Sequence, residues 1–384
     1  MPSANTRRKL VLHIGHHKTG STSIQNAFAT GMVRLDGGTI LYPAEMAHNY
    51  LRRHVDAFIE DGKILNGGPG MPNLPALAET LQTNSFDYAV LSGEEFEGAS
   101  PRAVKKTLSR FLLPHVSDHL VVCYIRPHAA RVLSSYAEQV KLGLFDGTPD
   151  EFLDKCLRRQ RFFFTKPLST WRKVFGEHFV LRPMIREQLV NNSVLDDFLA
   201  ASFDADTRVS VVGDQSANES MSLEDLMIAR IVQQRMQERN RQMRHAMGWE
   251  LSLKLAANTL PGVRRTKVRL HKALAERIRT TYLADARDLD ARFFDRKPLL
   301  ASELERAVDE ALPEAQSFEP SDHFDATALR SIEVLADIID GMLDHNDEPW
   351  PAYLRAHRLA ELHEARAEKP APRKAPGAAR GKTN

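Results

Sequence analysis

A short Val/Leu/Ile run, Lys9 to Ile14, stops at Gly15, and after the loop Gly15-His-His-Lys18-Thr19-Gly20 the stretch Thr22 to Ala29 takes up helical spacing. An unbroken apolar run this short, bounded by glycine, reads as a parallel strand buried on both faces. A strand that passes into a helix through a tight glycine loop turns the first free N–H groups of the helix, and the positive end of its dipole, toward one point. That point is an anion cradle, and the strand needs helical crossovers to reach its parallel neighbours.

The rest of the chain supplies them. Tyr88 to Leu91 and Leu120 to Ile125 are further strands, each preceded by a helical stretch, Leu74 to Thr83 and Ala103 to Leu113. Arg131 to Leu142 reads as the helix after the third strand, and Phe179 to Leu181 as a short edge strand following the helix around Trp171. Alternation of this kind predicts an α/β fold, a parallel β-sheet flanked by helices. From Ser222 to about Phe294 the pattern turns helical and Arg-rich, broken by a turn at Asn258-Thr-Leu-Pro-Gly262, so the C-terminal half is expected to be helical. Residues 1–365 are read as one unit, with an α/β core over 1–220 and a mainly helical part over 221–365. Residues 366–384, rich in Pro, Ala and Lys, are expected to be a disordered basic tail, because they lack the apolar residues that offset ordering entropy.

Charge sharpens this division. The net charge is +2, but the tail carries six Lys or Arg against Glu368 alone, which leaves the remainder near −3 (2 − 5) and without a basic nucleic-acid footprint. The tail offers at most a weak electrostatic contact to an acidic surface. Only Cys123 and Cys156 are present, and Cys123 sits in an apolar run, which suits a buried thiol in a reducing compartment. About six apolar residues near the N-terminus are too few for a signal-peptide core, and no segment approaches a membrane span. A cytoplasmic protein without a transmembrane segment is expected. No His/Cys/Asp spacing of a metal site is present, and none is expected.

The loop also limits the chemistry. A Walker A loop places lysine directly after its second glycine; here Ser21 holds that slot and the lysine is Lys18, inside the loop. The run Lys18-Thr19-Gly20-Ser21-Thr22 resembles the 5′-phosphosulfate loop of sulfotransferases that use 3′-phosphoadenosine 5′-phosphosulfate (PAPS), above all the bacterial carbohydrate-type members. A second stretch supports the resemblance. The strand Leu120 to Ile125 ends in Arg126-Pro-His-Ala-Ala-Arg131-Val-Leu-Ser134-Ser-Tyr136, and the family's 3′-phosphate motif has Arg, Arg at +5, Ser at +8 and Tyr at +10. An arginine at a strand's C-terminal end presents a planar fork to phosphate oxygens, and a serine two turns into the next helix adds a hydroxyl on the same side. The family commonly has Asp-Pro after the first arginine, whereas Pro127 follows Arg126 directly here.

The resemblance implies a P-loop NTPase-like sulfotransferase fold and PAPS as sulfuryl donor, with a carbohydrate or glycolipid hydroxyl or amine as acceptor. His17, Lys18, Thr19, Gly20, Ser21, Thr22, Arg126 and Ser134 then hold the nucleotide, and Lys18 neutralises the leaving phosphate. His17 either contacts the same group or supports the loop. For the proton acceptor the resemblance points past the end of the strand Tyr88 to Leu91, to Glu94 after Gly93, with His54 as runner-up; Glu95 and His48 read as surface groups. The Arg-rich stretch Ile228 to His245, with Arg230, Arg235, Arg239, Arg241 and Arg244, is a solvated helix face or a rim for an acidic acceptor. Two other classes stay open: a P-loop nucleotide kinase or ATPase, against which the lysine slot and the Arg126/Ser134 pair argue, and a non-catalytic nucleotide-binding protein.

Overall fold

The computed structural model describes residues 8–212, 221–258, 260–344 and 349–367. Its elements in chain order are β1 (Lys9–His13), α1 (Ser21–Ala29), β2 (Val33–Leu35), β3 (Ile40–Leu41), α2 (Leu51–Asp61), α3 (Leu74–Thr83), β4 (Tyr88–Ser92), α4 (Pro101–Phe111), β5 (Asp118–Ile125), α5 (His128–Lys141), α6 (Pro149–Arg158), α7 (Thr165–Phe175), β6 (Phe179–Pro183), α8 (Val194–Ser202) and β7 (Val209–Val211). Then come α9 (Leu223–Arg235), α10 (Arg241–Ala257), α11 (Lys272–Phe293), α12 (Leu299–Asp309), α13 (Ala326–Asp344) and α14 (Trp350–Ala367). A 3₁₀ turn, Glu94–Gly98, follows β4 directly.

Five strands form one sheet in the order β3-β4-β1-β5-β6, and every pairing in it is parallel. The strand of the glycine loop therefore lies at the centre, flanked by the two strands that the sequence pattern singles out. Side chains alternate between two buried faces. Leu10, Leu12, Ala89, Leu91, Val121, Cys123 and Ile125 join one cluster with residues of α3, α4, α5, α11 and α12, while Val11, Val90, Val122 and Tyr124 join Ile24 and Phe28 of α1 and Leu195 and Phe198 of α8. Burial on both faces is why these strands read as continuous apolar runs rather than as alternating ones.

The structure is thus α/β, with a five-stranded parallel sheet flanked by helices and a C-terminal half whose regular elements are helices among the described residues. Differences from the sequence reading are local. α5 begins at His128, right after Pro127, rather than at Arg131; a proline's fixed φ suits a helix start. The Arg-rich stretch is two helices, because Asn240 ends the break after α9 by capping α10, its side chain accepting from Met243 N at 2.9 Å. Ser222 caps α9 by accepting from Asp225 N at 3.1 Å, and Trp171 is a core anchor stacked on Phe175 and Phe179. The short antiparallel pair of β2 with β7, and β3 at the sheet edge, carry no readable signal at two or three residues each. Arg366 and Ala367 close α14, while the tail from Glu368 lies outside the described residues, as do Asn218–Ser220. Both cysteines are buried and unpaired with one another. No helix among the described residues is long and apolar enough to cross a membrane.

Candidate functional site

The C-terminal ends of β1, β4 and β5 meet along one edge of the sheet. β1 and β4 pair over their whole length, His13 opposite Ser92, and Gly93 N donates to His13 O at 3.0 Å. Ligands of open parallel sheets bind in the crevice outside this edge. A Cβ at Gly93 would come within 3.1 Å of the His48 carbonyl, so a larger residue here would push the neighbouring His48 backbone by a few tenths of an ångström.

The loop after β1 is held in an unusual shape. Lys18 and Gly20 both have positive φ, 68° and 78°, the former costly for a side chain that carries a Cβ. Arg126, the first residue after β5, donates from Nη1 to the Lys18 carbonyl at 2.8 Å, and Thr19 Oγ1 donates to His16 O at 2.6 Å. The arginine of the second motif thereby fixes the lysine of the first. Among the described residues, no group accepts from the amides of Thr19, Gly20, Ser21 or Thr22. Ser21 Oγ is buried without a partner as well.

Two carboxylates face the loop. Glu138 of α5 pairs with Lys18 Nζ at 3.0 Å and with Lys141 Nζ at 2.8 Å. Lys141 is buried, and its ammonium lies 3.7 Å from the centre of the Trp249 ring, which links the loop lysine to α10. Burial alone would raise the Glu138 pKa, but the two ammonium groups hold it below the usual carboxylate range. Glu97 accepts from His17 N at 3.0 Å and from Arg131 Nη2 at 2.9 Å, with His16 Nδ1 3.5 Å away. Burial again opposes ionisation, yet the neighbouring His16, Arg131 and His17 bring its carboxyl down to about 2. Arg131 is 1% exposed, and its Nε and Nη1 have no hydrogen-bond partner among the described residues.

Histidines crowd the same edge. His13 donates to or accepts from Ser92 Oγ at 2.8 Å, and Ser92 N donates to His48 Nδ1 at 3.1 Å. Burial drives His13 and His16 down to about 4 and His48 to about 3. His48 is fully buried, contrary to its reading as a surface group, because it backs onto Ser92 in the sheet. His17 differs from all of them: its side chain is 42% exposed and Nδ1 lies 3.5 Å from Glu94 Oε2. Burial pulls its pKa down, but the Glu94 contact and the Glu97 charge outweigh this and raise it.

The structure therefore brings His17, Lys18, Thr19, Gly20, Ser21, Thr22, Glu94 and Arg126 to one edge. Ser134 lies on α5 one turn before Glu138, its hydroxyl donating to Arg131 O at 3.2 Å. Glu95 is exposed. His54 sits in α2 with its ring against Tyr50 and has no contact with these groups among the described residues. Sequence reasoning missed Glu97, Glu138 and Lys141. Glu138 follows Ser134 by four residues and so shares its helix face, a spacing that could have revealed it; Glu97 could not be told from Glu94 and Glu95 before the 3₁₀ turn was seen. At the opposite edge of the sheet, Asp118, His119 and His178 place ligand atoms within 4.8 Å of one another, but Lys105 Nζ is 3.0 Å from His119 Nε2, which works against a second cation there. Compared with protein-family models, curated proteins and solved structures, the chain matches none of them.

Proposed function

We propose that this chain is a cytoplasmic PAPS-dependent sulfotransferase with the P-loop sulfotransferase fold, acting on a hydroxyl or amine of a carbohydrate or glycolipid. The observation that supports this reading most is the bond from Arg126 to the Lys18 carbonyl, which joins the two motif-bearing strand ends into one site. A nucleotide with both a 5′-phosphosulfate and a 3′-phosphate needs anion handles at two such points.

The residues present fit such a donor. The unpaired amides of Thr19 to Thr22 and the start of the α1 dipole suit the 5′-phosphosulfate. Arg126 and the rotatable hydroxyl of Ser134 suit the 3′-phosphate, each charge-assisted bond contributing about 1.5 to 3 kcal/mol. Sulfuryl transfer passes through a loose in-line transition state and is accelerated mainly by positioning and by charge placed where negative charge develops. Lys18 is that charge: it exchanges Glu138 for the leaving phosphate, and Glu138 stays compensated by Lys141. The acceptor's proton leaves through the Glu94 and His17 pair beside the loop.

Arg126→Ala and Ser134→Ala test the reading. Ser134→Ala is expected to weaken binding of 3′-phosphoadenosine 5′-phosphate by about tenfold or more and to leave the affinity for adenosine 5′-phosphosulfate, which lacks the 3′-phosphate, nearly unchanged; Arg126→Ala, which also releases the Lys18 carbonyl, is expected to weaken both, the bisphosphate more. Equal losses for both nucleotides would place these side chains away from the 3′-phosphate.

A further inference from the structure

We propose that His17, rather than Glu94, takes the acceptor's proton, at Nε2, and that Glu94 is the carboxylate that orients it. This rests on the sulfuryl-transfer reading above and assigns the roles within its proton-accepting pair. Two carboxylates of the turn after β4 face His17: Glu97 Oε2 accepts from its backbone N–H at 3.0 Å, and Glu94 Oε2 lies 3.5 Å from Nδ1, at ion-pair distance. A carboxylate on the Nδ1 side favours the ring proton there, which leaves the Nε2 lone pair outward. Among the described residues nothing bonds to Nε2, and the side chain is 42% exposed.

The competing bases are placed less well. One oxygen of Glu94 faces His17, and its backbone is tied to Asn49, whose Oδ1 accepts from Glu94 N at 2.8 Å. His16, the other loop histidine, is 5% exposed and lies against Phe164. His54 is a helix away, against Tyr50. His17 adjoins Lys18 in the chain, so the base and the charge that meets the leaving phosphate belong to the same turn.

The step balances within these groups. His17 Nε2 takes the acceptor's proton as the acceptor oxygen, or nitrogen, bonds to sulfur; Lys18 neutralises the electron pair left on the 5′-phosphate oxygen when its bond to sulfur breaks. The imidazolium is stabilised by Glu94 and returns its proton to water from its exposed side. Glu94 and Glu97 from the turn, Arg131 from α5, and His16 from the loop are the charged or titratable groups that face it. The two carboxylates outweigh burial and Arg131, so His17 titrates above the ordinary histidine value. A base titrating close to working pH is the effective kind.

The test is side-chain nitrogen NMR of the full chain labelled with ¹⁵N-histidine, the His17 signals being assigned with His17→Gln. Neutral His17 is expected as the Nδ1–H tautomer, with a titration midpoint above 6.5 that falls in Glu94→Gln. Release of 3′-phosphoadenosine 5′-phosphate from PAPS, with water as acceptor, should fall by about 10²-fold or more in His17→Gln, with affinity for that product kept, and added imidazole should restore part of the rate to His17→Ala. An Nε2–H tautomer, or a midpoint that Glu94→Gln leaves in place, would overturn the assignment whatever the rate. So would a His17→Gln enzyme that keeps more than about a third of the rate. Equal affinity for the bisphosphate and for ADP would sink the parent reading instead, and the tautomer and midpoint judge the pair independently of it.

Discussion

Two regions of this protein are dense in ion pairs, and they differ in what those pairs are for. Between α9 and α13, Arg235 meets Glu333 at 3.6 Å and Asp337 at 3.3 Å with all three side chains largely exposed, and just beyond α9 Arg239 meets Asp340 at 2.7 Å. Each of these charges has an opposite partner across a helix seam. At the sheet edge, Lys18, Glu138, Lys141, Glu97 and Arg131 pair beside backbone amides and guanidinium nitrogens that have no acceptor among the described residues. On the proposed function, the edge takes one more anion. Counting arginines in the sequence draws attention to the first region; the cluster of unmatched donors around one loop draws it to the second, since buried polar groups without partners are rare in native proteins unless something else binds them.

The largest expected effect that separates the two is at Lys18. Lys18→Met removes the charge placed against the leaving phosphate and should cut product release from PAPS by roughly 10²- to 10³-fold, whereas Arg239→Ala should leave that rate alone. A comparable loss from Arg239→Ala would show that the seam belongs to the site. Next comes acid sensitivity. His13, His16 and His48 titrate near 4, 4 and 3 in the folded chain, so between about pH 6.5 and 4 the unfolded chain binds protons that the folded one does not, and stability falls as pH falls. Each contributes a slope of up to about 1.4 kcal/mol per pH unit. Urea unfolding at pH 7, 6 and 5 measures this, and a midpoint that stays level would mean these rings are not buried neutral. The smallest effect is on the seam itself: Arg235→Ala should change stability by about 0.2 to 1 kcal/mol, the range of exposed pairs. A loss several times larger would make the seam a structural clasp.

What the sequence revealed follows from the range of the interactions involved. β1, β4 and β5 are legible because burial on both faces leaves an unbroken apolar run, and the loop because a strand, glycines and a helix follow one another within about twenty residues. Arg126 and Ser134 are expected from motif spacing, and the structure sets Arg126 against the loop. Glu97 was not, since its role depends on a 3₁₀ turn that brings it under His17 N and against Arg131, residues far from it in the chain. His48 was misjudged for the same reason: the pairing of its backbone and ring with Ser92, and packing against Tyr42 and Tyr50, bury it. The break between α9 and α10 was missed because arginine is a good helix former and the Asn240 cap gives little warning.

The central claim is that the loop of Lys18 and the strand end of Arg126 form one site for a nucleotide phosphorylated at both its 3′ and 5′ positions. Calorimetric titration of the full chain with 3′-phosphoadenosine 5′-phosphate and with ADP, at the same salt, addresses it directly. At least tenfold tighter binding of the bisphosphate is expected, about 1.4 kcal/mol or more from Arg126 and Ser134. Equal affinity for the two nucleotides would contradict the account.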